Sequence, residues 1–527
     1  MADDNSGDPA EKEAGEQPAI LRPWLLLGGA LVIGFAGIAL LFGQQPGVGY
    51  ALAALLAAMI WIAVGFAMGI RPSVAGLVLI ALALFYNAMV AVRASPALLA
   101  LNVLMGMGLA LLIAAVYLRG RLARMSLTDY AIALVMSGLA PVYQPFLLVF
   151  SDLPRVQRTP GKRRRLAPVL WGVALVVPLL LVFGALFAAA DAVFANFLQG
   201  AFAWLQDYPQ LIARLILSLI LGWLALGLAR RAYTARKIPP KLEDYANLDF
   251  LHLGVPTAIT ALALVDVLFL GFVLVQAVYL FGGSDTLART GLTCSEYARR
   301  GFFELVTVAT LVLGLILLMD WLTRFVTGRG RLIINLLHGV LVALTLVILV
   351  SALFRMRLYQ QEFGQTDLRF YTTAFMVWLG IVLVWLAVTV LRVRAPAGEN
   401  LGRRRFAFGA LVVSLALVVA LDLISPDALI ARTNLARAAA GVGQPLDVEY
   451  LTQTLSADAV PVAVAGIAAV PDPAVQMKLA CGLQAQAKIL AERAIRTNWR
   501  GSNWGLSAAR RALTDANLAP YMGQCSK

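Results

Sequence analysis

Six ionisable side chains stand where a ligand could use them: Asp266, Glu296, Arg300, Glu304, Glu362 and Arg369. Asp266 interrupts the apolar run Leu251–Phe281, ahead of Gln276. A charge inside a membrane span costs about 2.5–3.5 kcal/mol on insertion scales, so it faces other helices and either pairs, couples to an ion or contacts a ligand. The competing reading of Asp266 is an interhelical hydrogen bond. Glu304 follows Arg300 at i+4, a spacing that lets the two pair on one helix face. Glu296 and Arg300 belong to one dense segment, Thr293–Leu305, and Glu362 and Arg369 to another, Arg355–Tyr371. Arginine forks in such segments bind anionic or zwitterionic groups. An equal reading is a belt of ion pairs and tyrosines that fixes helix depth. Asp320 and Asp422 fall near the ends of runs, where snorkelling or interfacial water satisfies them. His338 has only His252 as a companion in the whole chain, which excludes a multi-histidine metal site and leaves a packing hydrogen bond. Glu296, Glu304 and Asp367 are the acid–base candidates for an enzyme acting on lipid or cell-wall precursors. No spacing singles out a pair, and no nucleotide loop or nucleophile–base set accompanies them. No catalytic residue, cofactor or metal is therefore assigned.

The elements that position these groups are apolar runs. Of 527 residues 61% are hydrophobic and 14% charged, too few charges to cover a soluble surface. Between Trp24 and Ile424 eleven runs each hold about 19 to 31 residues, and roughly 20 suffice to cross the hydrocarbon as a helix. They are Trp24–Phe42, Tyr50–Ile70, Val74–Val92, Ala97–Leu118, Ala167–Ala190, Leu211–Ala229, Leu251–Phe281, Gly301–Phe325, Leu332–Phe354, Phe370–Leu391 and Phe406–Ile424. Lipid offers strand edges no partner, so the fold class is all-α, a polytopic helix bundle. A further run, Leu127–Phe150, carries Asp129 and the pair Pro141 and Pro145, which cost helical hydrogen bonds. Arginines flank it on both sides. It reads as an interfacial or re-entrant element with both flanks cytoplasmic, the alternative being a twelfth, kinked span.

Eleven crossings put the acidic N-terminal tail, residues 1–22, in the cytoplasm and the C-terminus outside. The cytoplasmic loops then hold Arg119, Arg121, Arg124, Arg163, Arg164, Arg165, Arg230, Arg231, Arg324, Arg329, Arg331, Arg403, Arg404 and Arg405, as the positive-inside bias requires. Net charge is +14, but it flanks spans, so anionic lipid headgroups at Arg163, Arg164 and Arg165 are the expected contact and nucleic acid is not. The division is a four-helix membrane segment 23–118, a basic region 119–166 containing 127–150, a seven-span core 167–425, and a small helical domain 426–527 on the outer face. In that domain Trp499 and Trp504 stand among Arg493, Arg496, Arg500, Arg510 and Arg511, which suits either a membrane-surface anchor or a packed surface helix. Cys481 and Cys525 can pair in an oxidising compartment or stay as thiols.

Leu280-Phe281-Gly282-Gly283 and Glu296-Tyr297-Ala298-Arg299-Arg300-Gly301-Phe302-Phe303-Glu304-Leu305 resemble a bacterial membrane-protein family catalogued as domain of unknown function 4173, with its relative 4153. The likeness continues through Ser351–Arg355, Gly364-Gln365-Thr366, Asn434–Arg437 and Leu446–Leu451. It covers roughly residues 150 to 527 and leaves the first four spans unmatched. The resemblance implies a multi-pass protein of the bacterial inner membrane and carries over no catalytic residues. Two functions compete: small-molecule or ion binding and transport through an outward-facing site in the core, and a non-catalytic scaffold or signalling partner that meets an envelope protein through its outer domain.

Overall fold

The structure is a computed structural model that describes residues 22–118, 120, 122–152, 180, 183–184, 186–201, 208–234, 252–281, 302–323, 326–391 and 401–521. Among these residues there are helices and no strands. Eleven helices are long and apolar enough to cross a membrane. Ten match apolar runs read above. The eleventh is Leu127–Asp152, whereas Ala167–Ala190 lies largely outside the described residues.

The membrane helices are α1 (Pro23–Leu41), α2 (Val48–Ala67), α3 (Val74–Val92), α4 (Pro96–Val116) and α5 (Leu127–Leu147). After the short α6 (Ala192–Ala201) come α7 (Pro209–Thr234), α8 (Val255–Phe281), α9 (Phe302–Leu322), α10 (Gly328–Phe363), α11 (Asp367–Leu386) and α12 (Leu401–Ile424). Local chemistry sets their starts. Proline opens α1 and α4, where a missing N–H costs nothing. Ser73 caps α3, and Ser126 with Asp129 forms a capping box on α5. Helix α5 runs through Pro141 and Pro145 and continues as a π-turn, Leu148–Asp152. The prolines therefore do not end the helix as expected; the ladder widens one turn later instead.

Packing divides the bundle in two. Leu26, Ile80, Tyr86, Leu109, Tyr117, Ala133 and Leu226 centre a cluster drawn from α1, α3, α4, α5 and α7. Leu305, Ile316, Leu341, Ile348, Met376 and Leu383 centre another, from α9, α10 and α11. Helix α12 serves both, with Ala407, Leu415 and Val418 in the first and Phe406 in the second. Lipid gives leucine no reason to leave it, so close backbone approach must supply the attraction. At α1 against α7 a Cβ on Gly34 would strike the Ser218 carbonyl and Gly222 backbone, and only glycine lets the two helices meet there. Outward-facing Leu264, Val267 and Leu268 stay two-thirds exposed, as lipid-facing side chains should.

The helix ends sort into two faces. At one, the Tyr233 hydroxyl of α7 donates to the Trp61 carbonyl of α2, and its ring meets that of Tyr117 at 5.4 Å. Leu253 N–H donates to the Leu322 carbonyl at 3.1 Å, and Arg331 and Arg403 both reach Asp320. This arginine end thus gathers the C-termini of α2, α4, α7 and α9 and the N-termini of α8, α10 and α12. Both ends of α5 are tied there as well: Tyr130 donates to the Leu122 carbonyl at 2.9 Å, and Asp152 pairs with Arg230 at 2.8 Å.

The opposite end carries residues 426–521, with α13 (Pro426–Ala439), α14 (Val460–Gly466), α15 (Pro473–Arg496) and α16 (Trp504–Asp515). These bury a core of their own around Ile430, Leu451, Leu479, Leu483 and Ala509. Where such a core is shielded from water, each buried leucine or isoleucine in it stabilises the fold by about 1.5–3 kcal/mol. Ser425, at φ 56°, turns the chain from α12 into this domain. Cys481 on α15 is disulfide-bonded. Cys294 and Cys525, the other cysteines, lie outside the described residues, so the choice between a Cys481–Cys525 pairing and free thiols, left open by the sequence, resolves only to Cys481 being bonded.

Candidate functional site

Inside the bundle, Asp266 is 7% exposed and neither carboxylate oxygen has a hydrogen-bond partner among the described residues. It sits on the buried stripe of α8 with Ala258 and Leu262. Gln276 accepts from Ser351 at 2.9 Å, and Val255 packs at Gly330, so α8 and α10 run parallel with Asp266 level with Leu341. His338 is on α10 within about one turn of that depth, given 1.5 Å of rise per residue. It is fully buried and neither ring nitrogen has a partner, so the expected packing hydrogen bond is not made. Asp320 contrasts with both. Arg403 and Arg331 each grip one of its oxygens, and Arg403 also holds its backbone carbonyl at 2.6 Å. Its charge is matched twice, as a buried carboxylate requires.

The other sequence candidates that fall among the described residues, Glu304, Glu362 and Arg369, do not converge on Asp266. Glu296 and Arg300 lie outside the described residues, as do Arg163, Arg164 and Arg165. Glu304 is exposed in the first turn of α9. Arg369 and Glu362 meet at the domain end, more than about 30 Å of helix rise from the level of Asp266. There the Arg369 guanidinium lies over the Tyr359 ring at 4.1 Å and donates to the Phe363 and Gly364 carbonyls, the latter at 2.5 Å. Arg437 donates to the carbonyls of Val442 and Gln444 at 2.8 and 2.6 Å, and the Gln444 amide donates to the Glu362 carbonyl at 2.8 Å. These contacts satisfy the orphan carbonyls that end α10. Gly364, at φ 77°, makes the turn, and a Cβ there would strike the Asn434 side chain. Arg369 thus fastens α11 to the end of α10, and Arg437 fastens that end to the domain.

A second buried polar set joins bundle to domain, and sequence reasoning missed it. Ser95 donates to Asp427 at 3.3 Å, the Ala94 amide to Asp458 at 2.9 Å, and Asn102 to Asp422 at 2.9 Å. The Ser456 amide donates to the other oxygen of Asp427 at 3.0 Å. Asp422 is fully buried, so snorkelling does not satisfy it; the Asn102 amide on α4 reaches one of its oxygens, and the other has no partner among the described residues. Burial pushes the Asp458 carboxyl above its ordinary range, against the Ala94 amide and Arg93, which pull it down. The acidic residue types were visible in the sequence; their partners, more than 300 positions away, were not. Among the described residues no three His, Cys, Asp or Glu side chains come together as a metal site.

Comparison with known proteins adds one family. No curated protein and no solved structure matches the chain. A family model described as a domain of unknown function, DUF4153, matches residues 74–466. That match begins in α3, so it takes in the third and fourth spans that carried no recognised motif, and it ends in α14. It covers well over half of the chain, and this multi-pass helical membrane protein belongs to the DUF4153 family.

Proposed function

We propose that the protein binds and translocates a proton or small cation through its bundle, with Asp266 as the group that takes it up. One observation carries the reading: Asp266 is buried in the middle of a span with both oxygens unpartnered. An interhelical hydrogen bond in lipid returns only about 0.6 kcal/mol on average. Placing an aspartate there costs about 2.5–3.5 kcal/mol. A structural role does not offset that cost, least of all with no bond made. His338, one turn away on the neighbouring helix and equally unpartnered, is the natural second relay group. Purified protein should gain thermal stability from one member of a panel of protons, Li+, Na+, K+, Mg2+ and Ca2+, and Asp266→Asn should lose that response. A wild-type protein indifferent to the whole panel would sink the idea.

For orientation, we place the arginine end in the cytoplasm of a bacterial inner membrane, kin to the 4173 relatives, with residues 426–527 outside. The positive-inside tendency supports this, and so does the disulfide at Cys481, which needs an oxidising compartment. Helix α5 then does not cross. Both its ends are held at the arginine end, whereas α7 starts at the domain end, which is in keeping with the sequence reading of Ala167–Ala190 as a span. The scaffold reading, with the outer domain meeting an envelope partner, draws on that domain having its own core.

A further inference from the structure

The C-terminal domain presents a basic cleft at the depth where the membrane ends. Its floor is fixed by the bundle. The Val48 amide, at the start of α2, donates to the Ser502 carbonyl at 3.0 Å. Asn503 donates to the carbonyls of Val90 and Arg93, at the end of α3, at 3.1 and 2.9 Å. Arg500 reaches the Ala39 carbonyl, at the end of α1. Segment 499–504 is thereby held against three helix termini, which is the level of lipid headgroups. Beside it Trp499 and Trp504 are 61% and 66% exposed and Ile495 86% exposed. Large apolar side chains showing that much surface at that depth are those of an interfacial aromatic belt, not of a water-facing helix.

Between α15 and α16, on that same level, lies a cleft of about 160 Å³ lined by Arg493, Thr497, Asn498, Trp499, Ser507 and Arg510. Arg493 also borders a neighbouring cleft of about 310 Å³, shared with Gln44, Gln45, Glu492 and Arg496. On its other side is a larger one of about 500 Å³, where Ala94, Pro96, Val460, Ile489, Leu490 and Leu506 supply mostly apolar walls. Among the described residues neither Arg493 nor Arg510 makes an ion pair. Two acids on α15 and α16, Glu492 and Asp515, stand against Arg493, Arg496, Arg510 and Arg511, and Arg511 is stacked over Trp504 at 5.6 Å. Uncommitted guanidinium groups beside hydroxyl and amide donors bind a phosphate oxyanion. An apolar cleft adjoining that point at the membrane surface suits an acyl chain, so the combined chemistry is that of an anionic phospholipid.

We propose that the cleft between α15 and α16 is a binding site for the phosphate of an anionic lipid headgroup, with Arg493 and Arg510 as its ligands and Trp499 beside it in the headgroup layer. The site is separate in sequence from the basic stretch Arg163, Arg164 and Arg165, and it does not depend on Asp266. The test uses the full chain in liposomes with a phosphatidylglycerol probe bearing a photoreactive headgroup, and reads cross-linked peptides by mass spectrometry. Adducts should map to residues 493–511 and fall about tenfold, roughly 1.4 kcal/mol, with a phosphatidylcholine probe of the same acyl chains, whose choline cation repels the arginines and cancels the phosphate charge. R493Q/R510Q should lose the adducts, R493K/R510K should keep them, and excess inorganic phosphate should not displace them. Undiminished adducts in R493Q/R510Q, loss in R493K/R510K as well, or equal yield from phosphatidylcholine would overturn the site. Displacement by inorganic phosphate would mark the ligand as a soluble anion and overturn the lipid assignment.

Discussion

At the scale of single residues, the bundle depends on where side chains are missing as much as on where they are charged. Gly34 has no room for even a methyl group against α7, whereas Gly28, six positions earlier on α1, has nothing within 4 Å. Gly34→Ala should therefore destabilise the detergent-solubilised protein by about 1–3 kcal/mol, the usual cost of overpacking, while Gly28→Ala leaves its thermal midpoint unchanged. Equal effects of the two would refute the close α1–α7 contact. Asp458 gives a prediction in pH. Its carboxyl is raised by burial, so the folded state favours the protonated form. The stability it contributes is complete below the ordinary aspartate value of about 4 and is lost as pH rises through the raised one. Thermal unfolding of the full chain should weaken across that window, and Asp458→Asn should flatten the slope. An unchanged slope in the variant would assign the pH dependence elsewhere. Asp266 was legible in the sequence because a lone charge in an apolar run demands either a partner or a function. Asn102 was not, since an asparagine acquires meaning only from Asp422, which the chain reaches 320 residues later.

At the scale of elements, α5 shows what periodicity and length cannot decide. By hydropathy it qualifies as a span; by its prolines and flanking arginines it does not. The ion pair of Asp152 with Arg230 and the contact of Arg230 with Gln144 tie its far end to the end it started from. Single cysteines at Ser151 and Thr234, in a chain otherwise free of accessible thiols, should react with an impermeant maleimide from the same side of sealed vesicles. Labelling from opposite sides would make α5 a true span. Elsewhere the runs foretold the helices well, because each needs only its own composition to be recognised. The helix ends were harder: α10 extends to Phe363, well past the apolar Phe354, because Arg369 and the 441–444 loop with Arg437 satisfy its terminal carbonyls from outside the run. The candidate site was the least legible. Charge density pointed to Glu362 and Arg369, yet Arg369 is spent on holding α11 to the end of α10 and Glu362 meets Gln444 of the domain.

At the scale of the whole molecule, two half-bundles share α12, and a water-exposed domain grips both through it. Tyr86 of α3 donates to the Leu415 carbonyl at 2.7 Å, and Asp427, two residues past the αL turn at Ser425, binds Ser95 and Ser456. A ligand or lipid held by the domain is therefore mechanically connected to the first half-bundle through α3 and α4 and to the second through α11 and α12. The pairing of α1 with α7 has a consequence for biosynthesis. The chain leaves the ribosome from its N-terminus, so α1 enters the bilayer long before its main partner exists. Until α7 has been translated and inserted, the Ala30, Gly34 and Gly37 face of α1 has only lipid beside it. An insertion chaperone or the translocon itself has reason to retain α1 through that interval, and a nascent chain arrested before Pro209 should remain bound to the insertion machinery longer than one arrested after Thr234.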